Sequence, residues 1–517
     1  MTDVRIITEP LGGSPLSRLL QSGRAPSQWT AAAPGSASGW KDRALEIRAS
    51  RDWGVCWNTL SSAIAATGAA AERLDRVRRE GGVVVTTGQQ PGLFGGPIYT
   101  WSKAMGALAF ADALERSTGI ATAVIYWAAT DDADFAEAAY TVLAVPGGAE
   151  KVRSANAPEA GTPMSLAPLG DMSAQLERLR SSAGSAADAS ALRAVERAYG
   201  NAKSTVGTAY VQLMRELLEP LGIPVLDASH AAVRSASDDT LRAALRASAD
   251  VETALKTRAR EIREAYLDPQ VVDVDGLSLV FAREGSIKRR ITGAEAEQFA
   301  NDAKAWLTPN VLLRPIVEQA ILPTVAYLGG PGELAYFAQS SAVAEALGVP
   351  RPLGLPRWSC TMVEPHVEKL LCAFDVTPDA LSRPHELEGD VARSAMSEGT
   401  AATIARLRSA IAEVPGALAP EADALGLGAA VQGAMQSLQH RLDRLERRVT
   451  AGIKRRETAL LNDVGTLRGA LYPFGIRQER ALNIIPMLSR NGGVLLREMC
   501  TAAGAHADQL IDGSSSS

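Results

Sequence analysis

The sequence predicts an α/β protein: an open parallel sheet with inserted segments and a helical arm. Three observations predict it. A β-branched run, Val83–Val85, breaks into a glycine-rich loop and then an apolar helical pattern. A second strand–glycine loop–helix unit begins at Thr324. From residue 396 to 470 the pattern changes to heptads rich in charge.

Residues 1–80 read as a loop-rich arm and then an alanine-rich helix from about Asn58 to Glu80. Gly81 and Gly82 end it. Thr86–Lys103 follows, reading TTGQQPGLFGGPIYTWSK. Gly88, Gly92, Gly95 and Gly96 crowd its loop, and Pro97 takes the helix start, where its missing N–H costs nothing. Ile98, Trp101, Met105 and Leu108 recur three or four apart, so one helical face is apolar. That helix is expected to run to Thr118 and stop at Gly119.

A loop of this kind binds through its backbone. Glycines bring N–H groups close to a ligand, and the helix N-terminus adds partial positive charge. Gln89 and Gln90 add amides, and Lys103 adds a charge one turn beyond Tyr99. A phosphate or carboxylate suits the design; the competing reading is a structural tight turn. Neither generic nucleotide fingerprint is present.

Ala123–Trp127 is the next strand, ending in Thr130, Asp131, Asp132, Asp134 and Glu137. Acids beyond a strand's carboxyl end lie where α/β ligands bind, and suit Mg²⁺ or an ammonium group. Asp134 and Glu137 also have capping-box spacing, which favours a structural role for Glu137.

Residues 145–220 carry short helices at Ala174–Arg180, Ala191–Tyr199 and Thr208–Leu218. A strand at Ile223–Leu226 and a helix from Ser237 to Tyr266 come next. Val271–Arg283 alternates around Asp275-Gly276, a hairpin signal. Leu312-Leu313-Arg314-Pro315 and Thr324–Leu328 read as strands, and a helix spans Leu334–Leu347. Gly329, Gly330 and Gly332 allow close substrate approach. Glu333 suits an amine or cation, and Arg314 suits a carboxylate. A plain helix N-terminus with an acidic first turn is the alternative. Arg351–Arg357 reads as a further strand with a crevice cation.

In the arm, Met435, Leu438, Leu442, Leu445 and Val449 keep heptad spacing. A Pro-containing stretch, Val414–Pro420, is expected to separate this helix from one at Thr400–Glu413, giving an antiparallel hairpin. Arg441, Arg444, Arg447, Arg448, Lys454, Arg455 and Arg456 form a basic belt relieved by Asp443, Glu446 and Glu457. It reads as a solvated face rather than a nucleic-acid site. The end, from Asp512, reads as a disordered tail.

Composition sets the class. The 517 residues are 46% apolar and 21% charged, with a net charge of −5, as in a soluble multidomain protein without a nucleic-acid field. The sequence shows no long apolar run and no signal-peptide pattern, so a cytoplasmic location is expected. Cys56, Cys360, Cys372 and Cys500 form no C-x-x-C pair, and no zinc site is signalled.

From Thr87 to Lys103 the chain carries T-G-Q-Q-x-G-L-x-x-G-P-x-Y-T-x-x-K. Later come R-P-[LI] at Arg314, G-G-P-G-E-[IL]-A-Y ending at Tyr336, and Q-E-R-x-x-N over Gln478, Glu479, Arg480 and Asn483. In these segments it resembles the cysteine ligase family of bacillithiol biosynthesis. The resemblance implies a Rossmann-like core with inserted connective subdomains and an α-helical coiled-coil arm that dimerises. Five segments follow: 1–144, the N-terminal arm and first half of the core; 145–304, connective insertions; 305–395, the second half; 396–470, the arm; and 471–517, a return segment and tail. It implies amide formation between cysteine and glucosaminyl malate, the last step toward this low-molecular-weight thiol, with ATP and a possible role for Mg. Neither nucleic acid nor membrane is expected as a partner. Asp131, Asp132, Glu333 and Lys103 are the expected catalytic residues. Gly88–Lys103 would hold phosphate or a malate carboxylate, with Asp134, Arg314, Tyr336, Glu479, Arg480 and Asn483 as further binding residues. Where the family has E-D-H-D, this chain has Asp131-Asp132-Ala133-Asp134, so no histidine role carries over. A nucleotidyltransferase-like enzyme acting on another amino acid or sugar, and a non-enzymatic metabolite-binding scaffold, stay open as alternatives.

Overall fold

The computed structural model describes residues 3–185, 188–272, 275–383, 386–456 and 458–513, without the side chains of residues 454–456. The end of the predicted tail and part of the basic belt (Lys454, Arg455, Arg456 and Glu457) therefore lie outside what is described. The chain divides into two units. One comprises Met1–Leu143, Lys151–Met362 and Glu479–Ser517; the other comprises Ala144–Glu150 and Val363–Gln478.

In the first unit, the single helix expected before the sheet is two, Trp53–Ile64 and Gly68–Glu80. Ala65 turns left-handed between them, and the Thr67 N–H is taken by the distant Glu219 carboxylate at 3.1 Å. Strand β1 (Val83–Gln89) leads through the glycine loop to helix α1 (Ile98–Thr118), which Gly119 ends at φ 70°. The C-terminal limit of α1 matches the sequence reading; its start lies one residue later, with Pro97 extended as the N-cap rather than the first helical residue. The expected single apolar face does not match: α1 is buried on most sides, with Thr100, Ser102 and Lys103 inside as well. It packs on the sheet and on the C-terminal helices Val494–Ala502 and Gly504–Asp512.

Strands β2 (Thr122–Ala128) and β3 (Val225–Asp227) follow. The expected helix from Ser237 to Tyr266 is also two, Ala231–Arg246 and Ser248–Glu264, hinged at Ala247. The hairpin is β4 (Leu277–Glu284) and β5 (Ile287–Thr292), turning at Gly285 and Ser286 rather than at Asp275-Gly276. Strand β6 (Leu307–Pro309) pairs with β4. Leu312–Pro315 is not a strand. The Asn310 side chain accepts the N–H groups of Leu312 (3.1 Å) and Leu313 (3.0 Å), and the chain turns into helix α2, Arg314–Ile321. Strand β7 (Thr324–Gly329), helix α3 (Pro331–Ala346) and strand β8 (Gly354–Pro356) complete the core.

The central sheet runs β8-β7-β1-β2-β3, all parallel. Val83, Val84 and Val85 are fully buried, as strands covered on both faces require. The chain moves outward from β1 in one direction to β2 and β3, and returns on the other side as β7 and β8. The order therefore reverses beside β1.

In the second unit, helix α4 (Glu398–Ala424) runs through Pro415 and Pro420 without a break. The turn lies instead around Gly426, at φ 67°, before helix α5 (Gly428–Arg456). The antiparallel hairpin is present, with Arg408 clamping Asp443 (3.0 Å) and Glu446 (2.5 Å) across it. Leu442 is buried in its seam, but Leu438 and Leu445 are 44% and 50% exposed. Arg441, Arg444, Arg447 and Arg448 face solvent. Helix α6 (Thr458–Leu471) takes the Gly147-Gly148 turn against Gly465 and Gly469, where any Cβ would collide with the turn's carbonyl oxygens.

Candidate functional site

In an open parallel sheet, ligands bind outside the carboxyl ends of the strands, where the strand order reverses. The ends of β7, β1 and β2 open there onto a cavity of about 620 Å³ in the first unit. It is lined by Gly88, Gln89 and Gln90 at the end of β1, by Asp131 and Asp132 after β2, and by Gly330, Gly332 and Glu333 after β7. Tyr99, Lys103, Arg314, Tyr336 and Arg480 also reach it.

Lys103 is the hub. Its side chain is 2% exposed, and its ammonium contacts Glu333 Oε2 at 2.5 Å, Gln89 Oε1 at 2.9 Å and the Gly88 carbonyl at 3.0 Å. An ammonium has three donors, and all three have acceptors within the protein. Glu333 is likewise occupied. Its Oε2 also accepts the Gly330 N–H at 2.6 Å, and its Oε1 accepts the Tyr327 hydroxyl. Burial pushes the Glu333 carboxyl up, but Lys103, Tyr327 and Arg314 outweigh it and hold the group below its ordinary value. Lys103 and Glu333 thus fasten the two glycine loops together. Both, expected from the sequence to act on substrate, line the cavity with their charges matched inside the protein.

Arg314, at the start of α2, forks between Glu318 (2.8 Å) and the Tyr336 hydroxyl (2.8 Å), with its guanidinium over the Tyr327 ring. Arg357 is held bidentately by Glu479 at 2.8 and 2.7 Å. Glu479 therefore backs a cavity cation instead of lining the cavity. Asp131 lies beside Lys288, which donates to the Asp131 carbonyl at 3.0 Å and stands 3.7 Å from its carboxylate. Burial pushes the Asp131 carboxyl up, and Lys288 only partly offsets this.

Gly92, Gly95, Gly96, Asp134, Gly329 and Asn483 are not among the lining residues. A Cβ on Gly92 would strike the Gly96 Cα, and one on Gly95, at φ 88°, would lie 2.8 Å from the Trp101 ring. The Asn483 amide donates to the carbonyls of Leu93, Phe94 and Gly96, and the Leu482 carbonyl takes the Ile98 N–H. The start of α1, expected to face an anion, is capped by the returning chain. Asp134 caps the one-turn helix Phe135–Ala138 through the Ala136 N–H at 3.0 Å, and Glu137 adds no reciprocal cap bond. Gly329 passes its carbonyl to the Arg357 N–H at 2.9 Å.

Lys288 and Arg290 are cavity residues that the sequence reading missed. They stand two apart on β5, on one face of the strand. With the turn correctly at Gly285, that alternation would have exposed them. Six cations line the cavity (Lys103, Lys288, Arg290, Arg314, Arg357, Arg480) against three carboxylates (Asp131, Asp132, Glu333). Glu318 and Glu479 behind them reduce the excess without cancelling it, so the site suits an anionic ligand. Among the described residues, no group of three or more histidines, cysteines or acids is placed to hold a metal ion.

The model of the bacillithiol biosynthesis BshC N-terminal Rossmann-like domain matches residues 56–358, and that of the C-terminal coiled-coil domain matches 360–509. The chain belongs to the BshC family. A relative from Solibacter usitatus named "Putative cysteine ligase BshC" is 30% identical, over 81% of this chain and 82% of its own length. Proteins of the same name from Koribacter versatilis (30%, 87% of each chain) and Symbiobacterium thermophilum (28%, 84% of each) also match. The BshC match spans both units, and the cavity residues from Gln89 to Arg357 fall within the Rossmann-like segment. No helix among the described residues is long and apolar enough to cross a membrane.

Proposed function

We propose that this BshC-family protein is a cysteine ligase. It joins the carboxyl group of cysteine to the amine of glucosaminyl malate, the last step of bacillithiol synthesis. Family membership supplies the reaction class. The observation that carries the reading to this cavity is its mixed lining: Arg314, Arg357 and Arg480 together with the Asp131–Asp132 pair. Glucosaminyl malate brings carboxylates, which suit Arg314 and Arg480, with the Glu479-paired Arg357 beside them. Cysteine brings an ammonium group, which suits Asp131 and Asp132. A volume near 620 Å³ is ample for small substrates, and fixed orientation lowers the barrier to amide formation.

A free carboxylate needs activation, so ATP enters as a further substrate. Asp131 and Asp132 would hold either the cysteine ammonium group or, as the one or two carboxylates such an ion takes from a protein, a phosphate-bound Mg²⁺. The second unit serves as a dimerisation arm. Leu438 and Leu445 keep heptad spacing with Leu442 yet stay outside the hairpin seam, which fits a second copy. A chain lacking about residues 430–465 is expected to sediment as a monomer, and an unchanged dimer would place the interface elsewhere.

The reaction is tested by incubating the protein with cysteine, glucosaminyl malate and ATP. Mass spectrometry should find the amide thiol only when nucleotide is present. ADP with phosphate would report an acyl phosphate; AMP with pyrophosphate would report an acyl adenylate. Substrate binding without amide formation, with any nucleotide, would overturn the ligase reading.

A further inference from the structure

The contacts around Lys103 fix the direction of a hydrogen bond that ends in the cavity. Lys103 can only donate, so the atom of Gln89 that meets it at 2.9 Å is the amide oxygen. A flipped amide would set N–H against ammonium. The Gln89 nitrogen therefore faces the Tyr99 hydroxyl, at 3.1 Å, and donates to it. The Tyr99 oxygen is the acceptor in that bond, and its own hydrogen is left over. No described residue accepts it, while the Tyr99 side chain lines the cavity. Burial pushes the Tyr99 hydroxyl well above its ordinary value, with Glu137 and Glu333 adding to the effect. It remains a donor at every working pH.

We propose that Tyr99 donates its O–H to the acyl oxygen of the carboxyl group being joined, and that Lys103, through Gln89, is what turns that hydrogen toward the substrate. Tyr99 is then a catalytic residue, while Gln89 and Lys103 are positioning residues. The inference rests on the ligase reading for its substrate. The amine nitrogen attacks the activated carbonyl carbon, and the carbonyl π electrons move onto the oxygen facing Tyr99. As the C–N bond is completed and the carbonyl reforms, the bond to the leaving phosphate or AMP breaks, and that group takes its electron pair. The amine proton passes to solvent. Tyr99 keeps its own proton throughout and gives a fixed donor where charge develops.

Two single-site variants test the direction of the bond rather than its presence. Tyr99→Phe removes only the hydroxyl. Gln89→Glu keeps the shape and the contact to Lys103, but offers oxygen on both sides. The Tyr99 hydrogen then turns to the introduced carboxylate and away from the cavity. Both variants should melt like the wild type, lower kcat for amide formation by about a hundredfold and change KM for glucosaminyl malate little. Calorimetry with cysteine alone should show about tenfold weaker binding in both. A structural role for Gln89 would leave Gln89→Glu active, because both of its contacts survive; that result overturns the inference. Cysteine binding equal in all three proteins overturns it as well, as does a wild type that binds no cysteine. A wild type that makes no amide, with cysteine binding weakened in both variants, would overturn the ligase reading and leave the Tyr99 donor standing.

Discussion

The two glycine loops look alike in sequence and do different work. In the first, Gly92, Gly95 and Gly96 let the chain pack against itself. Their neighbours are other glycines, Trp101 and the Asn483 side chain, and only the stretch from Gly88 to Gln90 faces the cavity. In the second, Gly330 and Gly332 both line the cavity, and a Cβ on Gly332 would meet nothing nearer than the Gln270 amide at 3.7 Å. A glycine marks a close approach but does not say what approaches. The first loop is close to its own protein; the second is open to a ligand.

The largest effect is expected where the two loops are joined. Lys103→Met leaves the Glu333 carboxylate buried without its counter-charge, and should cost about 3–5 kcal/mol in denaturant unfolding. A loss below about 1 kcal/mol would show that the loops hold their places independently. Next comes Gly95→Val, which puts a β-branched side chain at φ 88° against Trp101. It should cost about 2–3 kcal/mol, whatever its effect on ligand. Gly332→Ala is the counterpart. Its melting temperature should stay near that of the wild type, while KM rises severalfold because Gly332 lines the cavity. Equal stability losses in the two glycine variants would erase the distinction between the loops.

The smallest effect belongs to Asp131, beside the second loop's partners. Its folded-state carboxyl is held above its ordinary value of 3.8 by burial, against the pull of Lys288. A carboxyl whose pKa rises on folding costs stability as pH climbs through that raised value, and costs none below its unfolded value of about 4. Asp131→Asn should therefore be slightly more stable than the wild type at about pH 7. The difference should shrink as pH falls toward about 4, read by urea unfolding at each pH. A variant less stable than the wild type at neutral pH would mean that Lys288 outweighs burial.

Much of this was legible in the chain. The β-branched run, the loop glycines and Gly119 at the helix end are local signals, and the structure keeps them. The resemblance in the Q-E-R-x-x-N segment pointed to Glu479 and Asn483, but not to what they do. Glu479 is a counter-ion to Arg357, and Asn483 braces a loop, each through a contact far along the sequence. Leu312–Pro315 misled because two leucines imitate a buried strand. The Asn310 cap and Pro315 at the second helical position were the better guides. Pro415 and Pro420 misled in the opposite direction, since an exposed helix carried both through. Heptad spacing placed the arm, but spacing alone could not tell buried Leu442 from exposed Leu438 and Leu445.

The first unit is closed by its own last segment. Asn483 braces the first loop, Glu479 neutralises Arg357, and the helices Val494–Ala502 and Gly504–Asp512 cover α1. All of these come after the whole second unit in the chain. A ribosome making this protein N-terminus first therefore exposes α1 and the half-built crevice while the long stretch Val363–Gln478 is still being added. The core waits until the arm has been made, its apolar helix bare, and the helices that follow the arm in the chain are those that seal it.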